Sequence, residues 1–151
     1  MGVDNGRFND DDYRTQADFR RALRSFLHES EAEARRVGLT PQQYLLLLMT
    51  RGHRSYPSVM VGELADALKL QQSTVSLLVD RAVRRGLLHR LESASDRRRV
   101  EISLTPEGQQ LLDEIMDANR KELEALSGGL FNESLLRVLR EHHAAVENTS
   151  H

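Results

Sequence analysis

Two short helices, a strand, an arginine-tipped turn and a second strand follow one another between residues 61 and 105. That order predicts a mainly α chain with a small β wing, a winged helix-turn-helix. Long amphipathic patterns on both sides of this segment add N- and C-terminal helices. Charge supplies a third observation. From Lys69 to Arg99 eight basic residues stand against Asp80, Glu92 and Asp96, whereas from Glu107 onward nine acidic residues stand against four basic ones. The net charge of -2 therefore hides a basic middle in an acidic body, the distribution expected when only one face meets a polyanion.

Four segments follow. Residues 1–11 are polar, rich in Asp and Gly and without periodicity, and are expected to be disordered. Residues 12–38 read as a long helix, because Phe19, Leu23, Phe26, Leu27, Ala34 and Val37 recur at helical spacing and Gly38 stops the pattern. Residues 39–105 form the winged helix-turn-helix. Residues 106–151 return to helix.

Within the second half of that list each element has a local cause. Thr40 as N-cap, Pro41 at the first helical position and Gln43 as the reciprocal partner predict a helix start. The Tyr44 to Met49 run that follows is apolar on every side, which places this helix centrally. Gly52 to Ser58 is a loop, and Val59 to Val61 a very short strand able to pair with the wing. Glu63 to Leu68 is a short helix. Gln71 to Arg85 is a second one, with Val75, Leu78, Val79, Ala82 and Val83 inward, Gln72, Ser73, Thr74, Ser76 and Arg81 on or near its outer side, and Gly86 ending it. Hydroxyl and amide side chains at the exposed start of a helix suit contacts with base edges and phosphates; for any single Ser or Thr, helix capping is the competing role.

Leu87 to Leu91 and Arg99 to Leu104 read as strands, the latter alternating Val100, Ile102 and Leu104 inward. The tip between them has no apolar anchor, so it is free to enter a minor groove, where arginines such as Arg97, Arg98 and Arg99 are favoured. Asp96 is costly beside phosphate unless occupied, and is expected to pair with a neighbouring arginine and orient it. Thr105-Pro106-Glu107 opens another long helix with the stripe Leu111, Leu112, Ile115, Met116, Leu123 and Leu126, ended by Gly128-Gly129. A last helix runs roughly from Asn132 to Glu147. Three amphipathic helices at the ends exceed what a small winged-helix core can cover, and the surplus predicts a dimer interface built from both termini.

Other functions lack their residues. Cysteine is absent, which removes disulfides, thiolate metal sites and cysteine redox sensing. No apolar run approaches the ~20 residues of a membrane span, and the acidic N-terminus lacks the parts of a signal peptide, so a cytoplasmic protein without membrane attachment is expected. An enzyme is the main rival class, but HExxH, P-loop, GxSxG and dinucleotide patterns are all missing. His28-Glu29 and the adjacent His142 and His143 do not form a metal pattern, and no catalytic residue, metal or cofactor is expected. A winged-helix adaptor that binds protein instead of DNA is the second rival; it would not need arginines at the wing tip.

From about Tyr13 to Val146 the chain resembles the MarR family of bacterial transcription regulators. Asp96-Arg97-Arg98, followed by Val100, Ile102 and Leu104-Thr105-Pro106-Glu107-Gly108, matches the family's wing, and Asp80-Arg81 with Arg85-Gly86-Leu87 matches the end of its recognition helix. Lys69 departs from the glycine of many such turns, and Gln71 from the usual Ser or Asp cap. The resemblance implies a homodimer, with both terminal helices interlocked, that binds double-stranded DNA at a pseudo-palindromic operator as a repressor. It implies Arg98 in the minor groove with Asp96 holding it, and base or phosphate contacts from Gln72, Ser73, Thr74, Ser76 and Arg81. It also implies release by a small phenolic or aromatic acid bound between dimerisation helices and DNA-binding lobe, with Arg24, His28, Tyr44 and Arg51 as candidate pocket residues.

Overall fold

The computed structural model describes residues 6–93, 95–96 and 98–130, with backbone alone over 127–130. The chain divides into two compact units, residues 30–118 and the two ends, 1–29 with 119–151. Helix α1 spans Asp10–Arg36. Residues 10 and 11, expected to belong to a disordered start, are thus helical. The cause is a reciprocal cap: the Asp12 N–H donates to Asn9 Oδ1 at 2.9 Å, and the Asn9 N–H donates to Asp12 Oδ2 at 3.0 Å. Asp10, Asp11 and Asp12 also put negative charge at the positive end of the helix dipole.

The long helix expected after Thr105 is two helices, α5 (Pro106–Ala118) and α6 (Arg120–Leu130). Asn119 separates them, and its carbonyl accepts the Leu123 N–H at 2.9 Å as the first bond of α6; asparagine is a favoured N-cap. Helical backbone continues through Gly128 and Gly129 to Leu130, where those glycines were expected to end it. A helical glycine costs only about 1 kcal/mol against alanine, and no proline follows. The helix expected over 132–147 lies outside the described residues.

In the unit of residues 30–118, α2 (Pro41–Arg51) opens on the expected cap: Thr40 Oγ1 accepts from the Gln43 N–H at 3.1 Å and Gln43 Oε1 from the Thr40 N–H at 3.0 Å. Tyr44, Leu46, Leu47 and Thr50 are buried, and the Thr50 hydroxyl donates to the Leu46 carbonyl. Leu45 is 40% exposed, so α2 keeps one outer side despite its continuous apolar run. Strand β1 (Val59–Met60) leads directly into α3 (Val61–Leu68). The sequence pattern places Val61 in the strand; the helix claims it because Glu63 reaches back to accept the Met60 N–H at 3.0 Å. That bond, more than any other contact, holds the Glu63 carboxyl below its ordinary 4.5, with Ser55 adding a second hydrogen bond.

Helix α4 (Gln72–Arg84) follows, then β2 (Leu88–Glu92), β3 (Val100–Leu104) and α5. The sheet order is β1-β3-β2, all antiparallel, with Val59 opposite Ile102 and Leu88 opposite Leu104. Leu46, Leu47, Val59, Leu64, Val75, Val79, Ile102 and Ile115 are fully enclosed and bind helices to sheet. At about 1.5–3 kcal/mol per buried side chain, this core fixes where α4 and the wing emerge.

Three helices end in one geometry. Past α1, α3 and α4 a residue with positive φ (Gly38 +83°, Lys69 +57°, Gly86 +76°) donates to the carbonyl three residues back. Its successor (Leu39, Leu70 or Leu87) donates to the carbonyl five back, at 2.8, 3.1 and 2.9 Å; this is a Schellman motif.

Candidate nucleic-acid interface

The outer side of α4 follows from which side is buried. Val75, Leu78, Val79 and Ala82 face the core, so helical periodicity turns Ser73, Leu77, Arg81 and Arg84 outward, and all four are exposed. Thr74 is exposed beside them and Ser76 is half-buried on the flank. Gln72 is exposed, but its amide lies over the start of α3: a Cβ on Gly62 would stand 3.3 Å from Gln72 Nε2. The five residues expected on this helix are therefore spread over an outer strip and two flanks. Leu77, absent from the sequence-derived set, lies on the strip itself. The available signal was its place about 200° around the helix from Val75, at ~100° per residue.

Helix α4 is pinned to the wing and to the frame. Arg90 on β2 pairs with Asp80 at 2.6 Å. Arg85, the C-cap of α4, donates from its guanidinium to Gln43 Oε1 at 2.8 Å and to the Gly38 carbonyl. Arg90 and Arg85 thus spend their charge and donors inside the unit, while Arg81 and Arg84 extend outward.

The wing turn is closed by backbone. Ser93 N–H donates to the Arg99 carbonyl at 2.9 Å and Arg99 N–H to the Asp96 carbonyl at 3.0 Å. Asp96 Oδ1 accepts the Arg98 backbone N–H at 2.9 Å. Among the described residues this replaces the expected ion pair with an arginine: Asp96 is occupied, but it shapes the turn through the peptide of Arg98 and leaves that guanidinium unrestrained. Arg98 and Arg99 are exposed. Arg97 lies outside the described residues.

The junction behind the wing explains its sequence motif. Thr105 Oγ1 donates to the Gly86 carbonyl at 2.6 Å and accepts the Gly108 N–H at 3.0 Å, while the Thr105 N–H donates to the Leu87 carbonyl at 3.1 Å. A Cβ on Gly108 would fall 2.1 Å from the Leu87 oxygen. Only glycine lets α5 approach the end of α4 so closely.

The four candidate pocket residues occupy different settings. Arg24 and His28 are exposed on α1. Tyr44 is 8% exposed within α2. Arg51 is already engaged, its guanidinium 4.6 Å from the centre of the Tyr56 ring and its Nε donating to Gln109 Oε1 at 2.9 Å. A cavity of about 570 Å³ between α1 and α6 is lined by Asp18, Phe26, Glu29, Glu122 and Leu126 among others, and by none of those four. Its carboxylates do not suit an anionic ligand. Among the described residues no cluster of His, Asp and Glu could hold a metal ion, and no helix is long and apolar enough to cross a membrane.

A helix presented outward beside an arginine-bearing β turn, both fixed to one core, defines a winged-helix protein with a basic reading face. Residues 37–99 match the model of the MarR family. The chain is 34% identical over 88 residues to the HTH-type transcriptional repressor MdtR of Bacillus subtilis, a match covering 58% of this chain and 54% of that protein. Among solved structures, a MepR variant of S. aureus bound to an oligodeoxyribonucleotide superposes with a TM-score of 0.62 at 20% identity, covering 90% of this chain and 97% of the other. BpsR of Bordetella bronchiseptica, whose DNA binding is regulated by 6-hydroxynicotinic acid, gives 0.60 at 23% identity, covering 84% and 89%. Residues 37–99 thus carry the likeness to the MarR family of transcriptional regulators, and the chain spans about half the length of the MdtR repressor it matches.

Proposed function

We propose that this protein is a homodimeric repressor that binds a pseudo-palindromic operator through α4 and the wing. The observation that carries the reading is the wing tip: Arg98 stands exposed on a turn that Asp96 fixes through the backbone, in the same unit as the outward strip of α4. A protein adaptor has no need of that arrangement. Ser73, Thr74, Ser76 and Arg81 face the major groove with Gln72 at their edge, and Arg98, flanked by Arg97 and Arg99, enters the minor groove. Pairing of two chains is supported by large apolar side chains left exposed on the terminal helices, Tyr13 and Leu27 on α1 and Leu123 on α6. Repression is the role named for MdtR.

The test is duplex binding as a function of salt. Arg98→Ala weakens binding across sequences and reduces the slope of log affinity against log salt by about one, the signature of a lost phosphate-region contact. Absence of duplex binding at low salt, with no effect of Arg98→Ala, returns the protein to the adaptor reading. The operator is sought as an inverted repeat beside the protein's own coding region, with half-sites about one helical turn apart.

A second element of the proposal is release by a small aromatic or phenolic acid, supported by the regulation of BpsR by 6-hydroxynicotinic acid. Arg24, a cation, and His28, a hydrogen-bonding imidazole, are its exposed candidates. Tyr44 and Arg51 take part only if the ligand displaces their present packing. Footprinting on the operator with and without such acids decides it.

A further inference from the structure

Leu77 is the apolar member of an otherwise polar strip. It is 58% exposed, with Ser73 one turn before it and Arg81 and Arg84 one and two turns after it on the same outer side of α4. Exposure of a single leucine says little, since apolar atoms are common on protein surfaces. Its position says more. Val75, Leu78, Val79 and Ala82 bury the opposite side of the helix, so Leu77 sits near the middle of the surface that the proposed function lays in the major groove. The C-terminal half of α4 is tied to the frame, through Arg85 to Gly38 and Gln43 and through Asp80 to Arg90. Rolling Leu77 inward would expose Val75 and Val79 and break these ties.

A leucine at that place cannot donate or accept a hydrogen bond, so it cannot read the amide, carbonyl or ring-nitrogen edges of the bases. The one apolar group displayed in the major groove is the 5-methyl of thymine. The flanking residues argue against a protein partner on this strip: the Ser73 hydroxyl and the exposed cations Arg81 and Arg84 lie along it with the leucine, whereas protein interface cores are depleted of charge. We infer that Leu77 is a specificity-determining residue that reads a thymine methyl group at a fixed position in each operator half-site. This inference rests on the proposed DNA-binding role of α4 and adds to it the base that the centre of the helix selects.

The experiment uses the full chain and a pool of randomised duplexes. The wild type enriches thymine at one position of each half-site, and Leu77→Ala loses that preference while keeping the rest of the selected sequence. In the selected duplex, replacing that thymine with uracil removes only the methyl group. It weakens the wild type about fourfold, the equivalent of about 0.8 kcal/mol for one buried methyl-sized group, and leaves Leu77→Ala unchanged. Placing 5-methylcytosine for cytosine at the same position restores part of the wild-type affinity and again does nothing for the variant. Circular dichroism and low-salt binding to unrelated duplex show that Leu77→Ala is folded and still meets phosphate. The inference is overturned if uracil is tolerated by the wild type, if Leu77→Ala keeps the thymine preference, or if its effect is a change of oligomeric state at equal DNA affinity. If the wild type selects no sequence and binds no duplex at low salt, the proposed function itself fails and this reading with it.

Discussion

The two ends of α4 are built to different standards. Both adjoin a Schellman turn, but the turn after α4 has Gly86 at its positive-φ position, whereas the turn before it has Lys69 at φ 57°. After α4, Arg85 is tied to α2 and to Gly38, Thr105 bonds the Gly86 carbonyl, and Gly108 lets α5 meet the Leu87 oxygen. Before α4, Gln71 is an N-cap whose side chain caps nothing. The end that carries load into the wing and the frame is fully committed. The end that opens the reading face, just before Ser73 and Thr74, leaves its first N–H groups without a side-chain cap. Bonded ties are concentrated at the end of α4, and the helix start is left polar, which suits the proposed contact with phosphate and base edges.

The largest break of this contrast is Gly108→Ala. Its Cβ would sit 2.1 Å from the Leu87 oxygen, a backbone atom that cannot swing away. The substitution is expected to destabilise by about 3 kcal/mol, the upper part of the range for forcing a group into a packed site. Urea denaturation reads this as a lower midpoint at unchanged slope. Intact stability would show that α5 and the end of α4 can separate, and that this junction does not aim the helix.

What was legible in the sequence divides along the same line. Thr40, Pro41 and Gln43 announce α2 because their bonds close within three residues, and Thr105-Pro106 announces α5 for the same reason. The Asn9 and Asp12 cap is equally local, but it sits in a polar stretch with no apolar periodicity, so the first turn of α1 was hidden. Asn119 was hidden inside a continuous stripe, since a one-residue break barely disturbs a helical period. Longer connections leave no local trace: nothing near Arg85 points to Gly38, 47 residues away, and nothing near Gly108 points to Leu87. In the reading face, the polar residues of α4 and the wing arginines announce themselves by type. Leu77 does not, because leucine is assigned to the core by habit and only its angle on the helix contradicts that. Asp96 was expected to pair with an arginine side chain, and side-chain chemistry alone gave no sign of its bond to the peptide N–H of Arg98.

Gln71→Ser sharpens the contrast from the other side. A serine at an N-cap of extended backbone, φ -73° and ψ 149°, can accept an N–H of the first turn, and such caps are worth about 1 kcal/mol. The variant is expected to gain that stability in thermal unfolding, a rise of about 3 °C for a chain of this size. No gain would mean that the first turn of α4 is already satisfied by another route.

The smallest effect is the most diagnostic, because one backbone geometry occurs with both residue types. Lys69→Gly removes the cost of a left-handed side-chain-bearing residue and adds back part of it as glycine's greater freedom when unfolded, a net gain of about 0.5–1 kcal/mol. Gly86→Ala makes the reverse exchange at φ +76°, where a Cβ would meet nothing within 4 Å, so its cost should be conformational and of similar size. Lys69→Ala is the control: it removes the lysine charge but keeps a Cβ in the left-handed region, and should leave stability unchanged. Paired denaturation curves for the three variants therefore separate backbone strain from charge. If Lys69→Ala gains as much as Lys69→Gly, the lysine is destabilising through its charge in a basic segment, and the turn before α4 is no worse made than the turn after it.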